Sequence, residues 1–281
     1  MLDTPLTMKD IHIRDPFILP YQGIYYMYGT RADCFGCGTG GFDVYKSTDL
    51  VNWSLPIEVF DSQKYNLNME VNWAPEVHFY NGSFYMFATH TFSSDGRRGT
   101  YIHSSSAPDG EFTPHSNGPV TPDEWYSLDG TFYCEDNIPY LVFCHEHVQI
   151  ADGTIECVRL SDDLKHPIGE CRTLFKGSDA YMVNKNRERF VTDGPFMFRN
   201  KRNELIMLWS TVDNGYLQCL AASDNGRIDG NFVQRPHLFS DDGGHGMLFY
   251  DFEGRLWLSL HSPNNQPNER PCLICLDQKE I

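Results

Sequence analysis

The sequence of 281 residues lacks the features that mark a membrane-spanning chain. No apolar run approaches the roughly 20 residues needed to cross a bilayer. The N-terminal segment MLDTPLTMKDIHIRDP has no basic stretch followed by an apolar one, so it does not look like a signal peptide. We therefore expect a cytoplasmic protein if Met1 is the native start, and otherwise a secreted or periplasmic protein whose leader has been removed.

Basic residues are also scarce. The chain has 22 Lys and Arg against 38 Asp and Glu, which gives a formal net charge of -16. Proteins that bind nucleic acid contact its phosphates mainly through Lys and Arg. The charge balance therefore predicts no nucleic-acid partner and no anionic membrane surface, and it favours a neutral substrate.

The nine cysteines are an odd number in a chain large enough to form a core without disulfides. This favours a reducing compartment. Two Cys-x-x-Cys pairs occur, Cys34/Cys37 and Cys272/Cys275. The second pair lies in a strand-like run, where positions three apart face opposite sides. We therefore expect ordinary thiols at these positions rather than a four-cysteine zinc site.

Long-range helical periodicity is essentially absent, and a five-fold repeat takes its place. Each unit begins with an apolar strand, a turn and an aromatic-rich strand, with turn tips such as Asn81-Gly82 and Glu253-Gly254. A second hairpin-like segment follows in most units. The units can be aligned on five anchor residues, spaced by 59, 55, 64 and 52 residues: Asp15, Ala74, Asp129, Asp193 and His245.

This repeat predicts an all-β protein, a single five-bladed β-propeller domain over residues 1–281 with four strands in each blade. A β-sandwich would not need a five-fold repeat with anchors at one place, and a solenoid repeat would be shorter.

Three of the five anchors are aspartates, and in a propeller the innermost strands bring such positions together around the axis. Asp193 precedes Gly194 and Pro195, and an isolated Asp-Gly-Pro is usually a turn. Converging carboxylates are costly because each raises the pKa of the others. They suit acetal hydrolysis, in which one carboxylate activates water and another carboxyl group protonates the leaving oxygen.

The anchor motifs together resemble glycoside hydrolase family 43. The resemblance rests on five short motifs, in order along nearly the whole chain: Arg14-Asp15-Pro16, Trp73-Ala74-Pro75, Leu128-Asp129-Gly130, Asp193-Gly194-Pro195 and Gly244-His245-Gly246. It implies a five-bladed propeller and an inverting hydrolase that acts on α-L-arabinofuranosides or β-D-xylosides, here as an exo-acting enzyme on plant cell-wall oligosaccharides.

The resemblance also implies roles for individual residues. Asp15 matches the general base, Asp129 matches the aspartate that tunes the acid, and His245 matches a histidine near a bound divalent cation such as calcium. Asp193 stands where the family usually has the Glu that acts as general acid, and its side chain is one methylene shorter. Glu76 and Glu146 are the alternative proton donors.

Further residues are predicted to bind substrate. Trp73 is a candidate for stacking on a sugar ring, as are Trp125, Tyr126 and Trp209 near other anchors. Arg270, near the last strand, is a candidate for a sugar hydroxyl, and Glu76 and Glu146 are candidates for the same pocket. Two other functions remain open, a catalytically weak or inactive sugar-binding propeller and a glycoside phosphorylase, which would need basic residues in the pocket.

Overall fold

The computed structural model describes residues 5–31, 40–65, 71–92 and 94–276. It consists of five antiparallel sheets arranged as a five-bladed β-propeller, which confirms the predicted fold class. Within each sheet the strands follow one another in chain order. No helix among the described residues is long and apolar enough to cross a membrane.

The first three sheets have four strands each. The first contains β1 (Ile13–Tyr21), β2 (Ile24–Arg31), β3 (Gly41–Ser47) and β4 (Ile57–Asp61). The second contains β5 (Asn72–Tyr80), β6 (Ser83–Thr91), β7 (Arg98–Ser105) and β8 (Thr113–Pro114). The third contains β9 (Ser127–Glu135), β10 (Ile138–His145), β11 (Thr154–Leu160) and β12 (Pro167–Lys176).

The last two sheets differ in size. The fourth contains β13 (Asp193–Arg199), β14 (Leu205–Val212), β15 (Tyr216–Ser223) and β16 (Phe232–Phe239). The fifth contains β17 (Gly244–Tyr250), β18 (Leu256–Ser262) and β19 (Arg270–Cys275), so this blade has three strands in the described part of the chain rather than the predicted four. The described helical segments are short: α1 (His147–Ile150) and two 3-10 turns, Ser62–Tyr65 and Gly177–Asp179.

The first strands of the five sheets form a closed ring. Strand β1 packs against β5 and β17, and β9 and β13 complete the circuit between them. The core lies between the sheets, in three clusters of buried aromatic and aliphatic side chains. Blade-to-blade packing of this kind brings the beginnings of the five first strands together, and the candidate site lies there.

The predicted hairpin tips are present. Strands β5 and β6 are joined by Asn81 and Gly82, with φ of 46° and 84°. A two-residue loop with positive φ at both positions is the type I′ turn that matches the twist of paired strands, and Asn-Gly is its preferred sequence.

Each first strand carries a β-bulge near its beginning. The positions of these bulges show that the predicted alignment of the five units is wrong in the fourth blade. The pairing with the second strand skips two residues in every blade: Asp15-Pro16, Ala74-Pro75, Asp129-Gly130, Gly194-Pro195 and His245-Gly246. The first residue of each pair has φ between 46° and 55°. The fourth blade therefore places Gly194, not Asp193, at the position of Asp15 and Asp129. Asp193 corresponds to Arg14, one residue earlier in the repeat.

Of the two Cys-x-x-Cys pairs, only the second lies in the described part of the chain. Cys272 is partly buried and Cys275 is exposed, and neither forms a disulfide. Cys34 and Cys37 lie outside the described residues.

Candidate active site

A cavity of about 180 Å³ lies where the five first strands begin. Its walls come from the bulge residues, from the residues just before them, and from two connecting segments: Arg14, Asp15, Trp73, Leu128, Asp129, Glu146, His147, Val191, Thr192, Asp193 and His245. The predicted residues Asp15, Asp129, Asp193, His245, Trp73 and Glu146 therefore share one cavity.

The left-handed backbone at the bulges is what orients these side chains. A positive φ is uncommon for residues other than glycine, and Asp and His tolerate it better than most. In four of the five blades the N–H of this residue donates to a side chain on the second strand of the preceding blade. The donor–acceptor pairs are Ala74 to Thr30 Oγ1, Asp129 to Thr89 Oγ1, His245 to Ser210 Oγ and Asp15 to His261 Nδ1.

The fourth blade departs from this pattern. The third blade has Cys144 where the others have a hydroxyl or imidazole. The Gly194 N–H donates instead to Oδ2 of Asp129 at 3.1 Å. This hydrogen bond ties the Asp129 carboxylate to the blade that carries Asp193.

His245 lies among the three aspartates. Its Nδ1 atom is 3.2 Å from Oδ1 of Asp15, 3.7 Å from Oδ2 of Asp129 and 3.7 Å from Oδ1 of Asp193. The predicted convergence of the three carboxylates is thus present in the structure, with an imidazole at its centre.

Asp15 is built to stay ionised. Burial works to raise its pKa, but the nearby imidazoles of His245 and His261 and then the Arg14 guanidinium outweigh burial and hold the pKa of this carboxyl well below its usual range. Thr30 Oγ1 donates to Oδ2 of Asp15 at 2.7 Å. The partly buried guanidinium of Arg14 is itself fixed by Glu269 at 2.6 Å.

Asp129 and Asp193 interact with each other, and their pKa values are shifted in opposite directions. Burial and the neighbouring Asp193 carboxylate raise the pKa of Asp129 well above its usual range. Burial also works to raise the pKa of Asp193, but the hydrogen bond from Asp129, the nearby His245 and the Tyr216 hydroxyl lower it overall. Two close carboxyl groups that share a proton behave in this way. The lowered pKa of Asp193 is the opposite of what a general acid needs, because such an acid must keep its proton.

Glu146 reaches the same cavity from the third blade. It follows β10 directly, is buried, and accepts a hydrogen bond of 2.6 Å from Arg98 Nε to its Oε2. The Arg98 guanidinium also lies over the rings of Trp73 and Tyr126, 5.1 and 5.6 Å from their centroids. Burial raises the pKa of Glu146, and Arg98 only partly offsets that effect.

Two predicted substrate-binding residues are not among those that line this cavity. Glu76 is buried beside His78, whose Nε2 is 3.0 Å from Glu76 Oε2. Arg270 donates to the backbone carbonyls of Lys9, Pro267 and Glu269. Both side chains are engaged by these neighbours and lie outside the lining of this cavity, so their roles in substrate binding stay predictions.

The aromatic candidates other than Trp73 are also engaged elsewhere. Trp209 is fully buried in the core and donates to Gln234 Oε1. Trp125 stacks on His145, with ring centroids 4.1 Å apart. Tyr126 is in contact with Arg98 and bonds to the Asp95 carbonyl.

Sequence reasoning missed Arg14, Arg98 and Tyr216 as parts of the site. Arg14 was visible beside Asp15 but was not assigned a role. Arg98 and Tyr216 are the first residues of β7 and β15, the third strands of their blades. A search for polar residues at the start of third strands would have found both.

The carboxylates and imidazole also form a possible metal site. One ligand atom each from Asp129, Asp193 and His245 lies within 4.8 Å of the others. Two carboxylates and one imidazole suit a divalent cation of mixed oxygen and nitrogen preference. Calcium prefers six to eight oxygen ligands, so it would take most of its ligands from water at this site.

A family model described as glycosyl hydrolases family 43 matches residues 8–274 of the chain. None of the curated proteins compared with the chain matches it. Among solved structures, an endo-arabinase from Bacteroides thetaiotaomicron VPI-5482 is 37% identical, with 97% of each chain covered and a TM-score of 0.85.

More distant structures share the fold. An endo-1,4-beta-xylanase from the same organism is 22% identical over 96% of this chain and 92% of its own, with a TM-score of 0.76. An alpha-L-arabinofuranosidase from Lactobacillus brevis is 14% identical over 96% of this chain and 94% of its own, also with a TM-score of 0.76.

Proposed function

The chain belongs to glycosyl hydrolases family 43, and we propose that it is an inverting, exo-acting glycoside hydrolase. The proposed substrates are terminal α-L-arabinofuranosyl or β-D-xylosyl units of neutral plant cell-wall oligosaccharides. The observation that carries this proposal is the group of three carboxylates around His245 Nδ1 in one cavity, with Asp15 held ionised.

In this mechanism Asp15 is the general base. Its ionised carboxylate takes a proton from a water molecule, and the water oxygen then forms the new bond to the anomeric carbon. Thr30, Arg14 and His245 fix the orientation and charge of Asp15. General-base catalysis by a positioned side chain typically contributes about 10²–10⁴-fold to the rate.

Asp129 and Asp193 act beside the general base Asp15, where they set the local charge and the position of the cavity walls. Their shared proton keeps the local charge lower than three separate carboxylates would. Asp129 also holds the fourth blade through the Gly194 N–H, so its carboxyl group fixes the spacing between two walls of the cavity.

A divalent cation, if bound, would be held by Asp129, Asp193 and His245, and its positive charge would stabilise the neighbouring carboxylates and attract sugar hydroxyl groups. The chain's own residues perform the remaining steps.

The size of the cavity supports exo action. Its volume of about 180 Å³ is below the roughly 300–1,000 Å³ of sites that hold drug-sized ligands, which suits a single sugar unit. Endo action on an arabinan chain is the second candidate, because the 37% identical structure is named an endo-arabinase.

A phosphorylase is less consistent with the site. Two arginines lie at the cavity, Arg14 on its wall and Arg98 beside Glu146, but each is already paired with a carboxylate. Bound phosphate would have to compete with Glu269 and Glu146 for these cations.

Product analysis tests the proposal. The protein is incubated with nitrophenyl α-L-arabinofuranoside, nitrophenyl β-D-xyloside and linear arabinan, and the products are separated by chromatography. Exo action predicts monosaccharide as the first product. Oligosaccharides as the first products would favour the endo-acting candidate. Binding without hydrolysis of any of the three would favour an inactive sugar-binding propeller.

A further inference from the structure

Glu146 lies in the cavity with the three aspartates but is not part of their hydrogen-bonded group. We propose that Glu146, rather than Asp193, donates the proton to the leaving oxygen. This assignment rests on the proposed function, because it concerns the acid of a glycoside hydrolase. It also departs from the role that the family resemblance implies for Asp193.

One carboxyl oxygen of Glu146 is available to a substrate. Oε2 accepts the hydrogen bond from Arg98 Nε at 2.6 Å. Oε1 makes no hydrogen bond to any residue that the structure describes, and it is not one of the fully enclosed polar atoms. Since Glu146 lines the cavity, Oε1 is the oxygen that can carry a proton toward a substrate.

Backbone hydrogen bonds hold Glu146 in place. Its N–H donates to the Tyr126 carbonyl at 2.8 Å. Its own carbonyl accepts from the N–H groups of Gln149 and Ile150 at 3.0 and 3.2 Å, at the beginning of α1. A proton donor must be held in a productive geometry. The backbone bonds fix the main chain of Glu146, and the bond from Arg98 fixes its carboxyl group.

The protonated form of Glu146 is favoured by its surroundings. A general acid must carry its proton at the working pH, which requires a raised pKa for a carboxyl group. Burial raises the pKa of Glu146 even with Arg98 beside it.

The contacts of Asp193 point to a different role. The Tyr216 hydroxyl donates to Oδ2 of Asp193, so this oxygen is an acceptor. Oδ1 lies 3.7 Å from His245 Nδ1, the same nitrogen that is 3.2 Å from Asp15 Oδ1. Both oxygens of Asp193 are therefore engaged, one by the Tyr216 hydroxyl and one in the group around His245. Asp193 is therefore a positioning residue for the group around His245.

Glu146 Oε1–H gives its proton to the glycosidic oxygen as the bond between that oxygen and the anomeric carbon breaks, and the bond's electron pair stays with the leaving oxygen. Water forms the new bond from the opposite side and loses a proton to Asp15. Exchange with solvent then moves the proton from Asp15 and restores one on Glu146.

A leaving-group series tests this assignment. Aryl arabinofuranosides or xylosides, from dinitrophenyl to unsubstituted phenyl, are hydrolysed by wild type, Glu146→Gln, Asp193→Asn and the control Glu156→Gln. Glu156 is also buried in the third blade, where it bonds to Thr154 and Thr173. Dinitrophenolate leaves without protonation, whereas phenol needs it.

We expect Glu146→Gln to lower kcat/KM by about 10²–10⁴-fold on the phenyl substrate and by much less on the dinitrophenyl substrate. The basic limb of its pH profile should also disappear on the dinitrophenyl substrate. Asp193→Asn should lower kcat/KM by a similar factor across the series, and Glu156→Gln should follow wild type. Circular dichroism and thermal unfolding check that each variant folds.

Arg98→Gln gives an independent test that keeps the Glu146 carboxyl group. Removing the cation should raise the pKa of Glu146 and move the basic limb of kcat/KM upward by roughly 1–3 pH units. An unmoved limb would overturn the assignment, and so would a leaving-group dependence found in Asp193→Asn and missing in Glu146→Gln. If wild type hydrolyses none of the glycosides, the proposed function itself has failed, and the assignment falls with it.

Discussion

His245 Nδ1 lies 3.2 Å from Asp15 Oδ1, and this contact joins the first strand of the last blade to the first strand of the first blade. The left-handed bulge residues of both strands make the contact, since Asp15 has φ of 54° and His245 has φ of 50°. The contact that closes the ring of first strands therefore also brings Asp15 and His245 together in the site. The charge state of Asp15 depends on this contact.

Asp15→Asn should abolish hydrolysis while sugar binding survives. The amide keeps the shape of the carboxylate but cannot accept a proton from water, so kcat should fall by about 10²–10⁴-fold. Single-turnover kinetics measure the loss, and calorimetry with arabinose or xylose measures binding. Turnover at the wild-type rate in this variant would remove Asp15 from the mechanism.

Tyr216→Phe should lower the free energy of unfolding more than the loss of a hydroxyl that donates to a neutral acceptor. It removes the donor to the Asp193 carboxylate and leaves an acceptor unsatisfied, which costs about 1–3 kcal/mol of unfolding free energy. Tyr28→Phe is the matched control, because the buried Tyr28 hydroxyl donates to the neutral carbonyl of Pro108 at 2.6 Å. Urea unfolding compares the two. Equal losses would argue against an ionised Asp193.

A buried histidine pair predicts loss of stability in acid. His90 Nε2 lies 2.9 Å from His103 Nε2 in the second blade, and both rings pack against Phe60 of the first blade. Burial lowers the pKa of His90 well below its usual value and lowers that of His103 to about 3. The unfolded chain, with imidazole pKa near 6.5, binds more protons below that pH. The free energy of unfolding should therefore fall as the pH drops from about 6.5, toward the folded pKa values.

The His103→Phe variant isolates this effect. Each imidazole that is neutral only in the folded state contributes a slope of up to about 1.4 kcal/mol per pH unit. Denaturant unfolding between about pH 6.5 and 5 should show a shallower slope in the variant than in wild type, because most carboxyl groups do not yet titrate there. Identical slopes would show that the pair does not titrate as described.

Metal binding has its own test. If Asp129, Asp193 and His245 hold a divalent cation, added calcium should raise the Tm of chelator-treated wild type and leave His245→Gln unchanged. At a concentration of 100 times Kd the expected stabilisation is about 2.7 kcal/mol. Thermal unfolding with elemental analysis of the purified protein measures this. No shift with calcium, manganese or zinc would count against a metal site.

The sequence allowed the fold to be predicted because turn chemistry and strand pattern repeat locally. Asn81-Gly82 indicates its hairpin by itself, and the motifs at Asp15, Asp129 and His245 recur at blade-like spacing. The equivalence of Asp193 with these residues could not be seen. It depends on which residue takes the left-handed conformation in the bulge, and in the fourth blade that residue is Gly194.

Most of the predicted residues that line the cavity belong to the repeated motifs, and Glu146 is the exception. Arg98 and Tyr216 come from the third strands of two blades, and their approach to Glu146 and Asp193 depends on how the blades pack. Arg270 also begins a third strand, but it bonds to nearby backbone carbonyls. Strand position alone therefore does not tell which of these side chains reaches the cavity.

We propose that the carboxylates around His245 catalyse hydrolysis of an arabinofuranoside or xyloside with inversion at the anomeric carbon. Proton NMR of a fresh reaction measures this directly, before the released sugar mutarotates. Inversion predicts β-L-arabinofuranose as the first product from an α-L-arabinofuranoside, or α-D-xylose from a β-D-xyloside. A first product of retained configuration would contradict it.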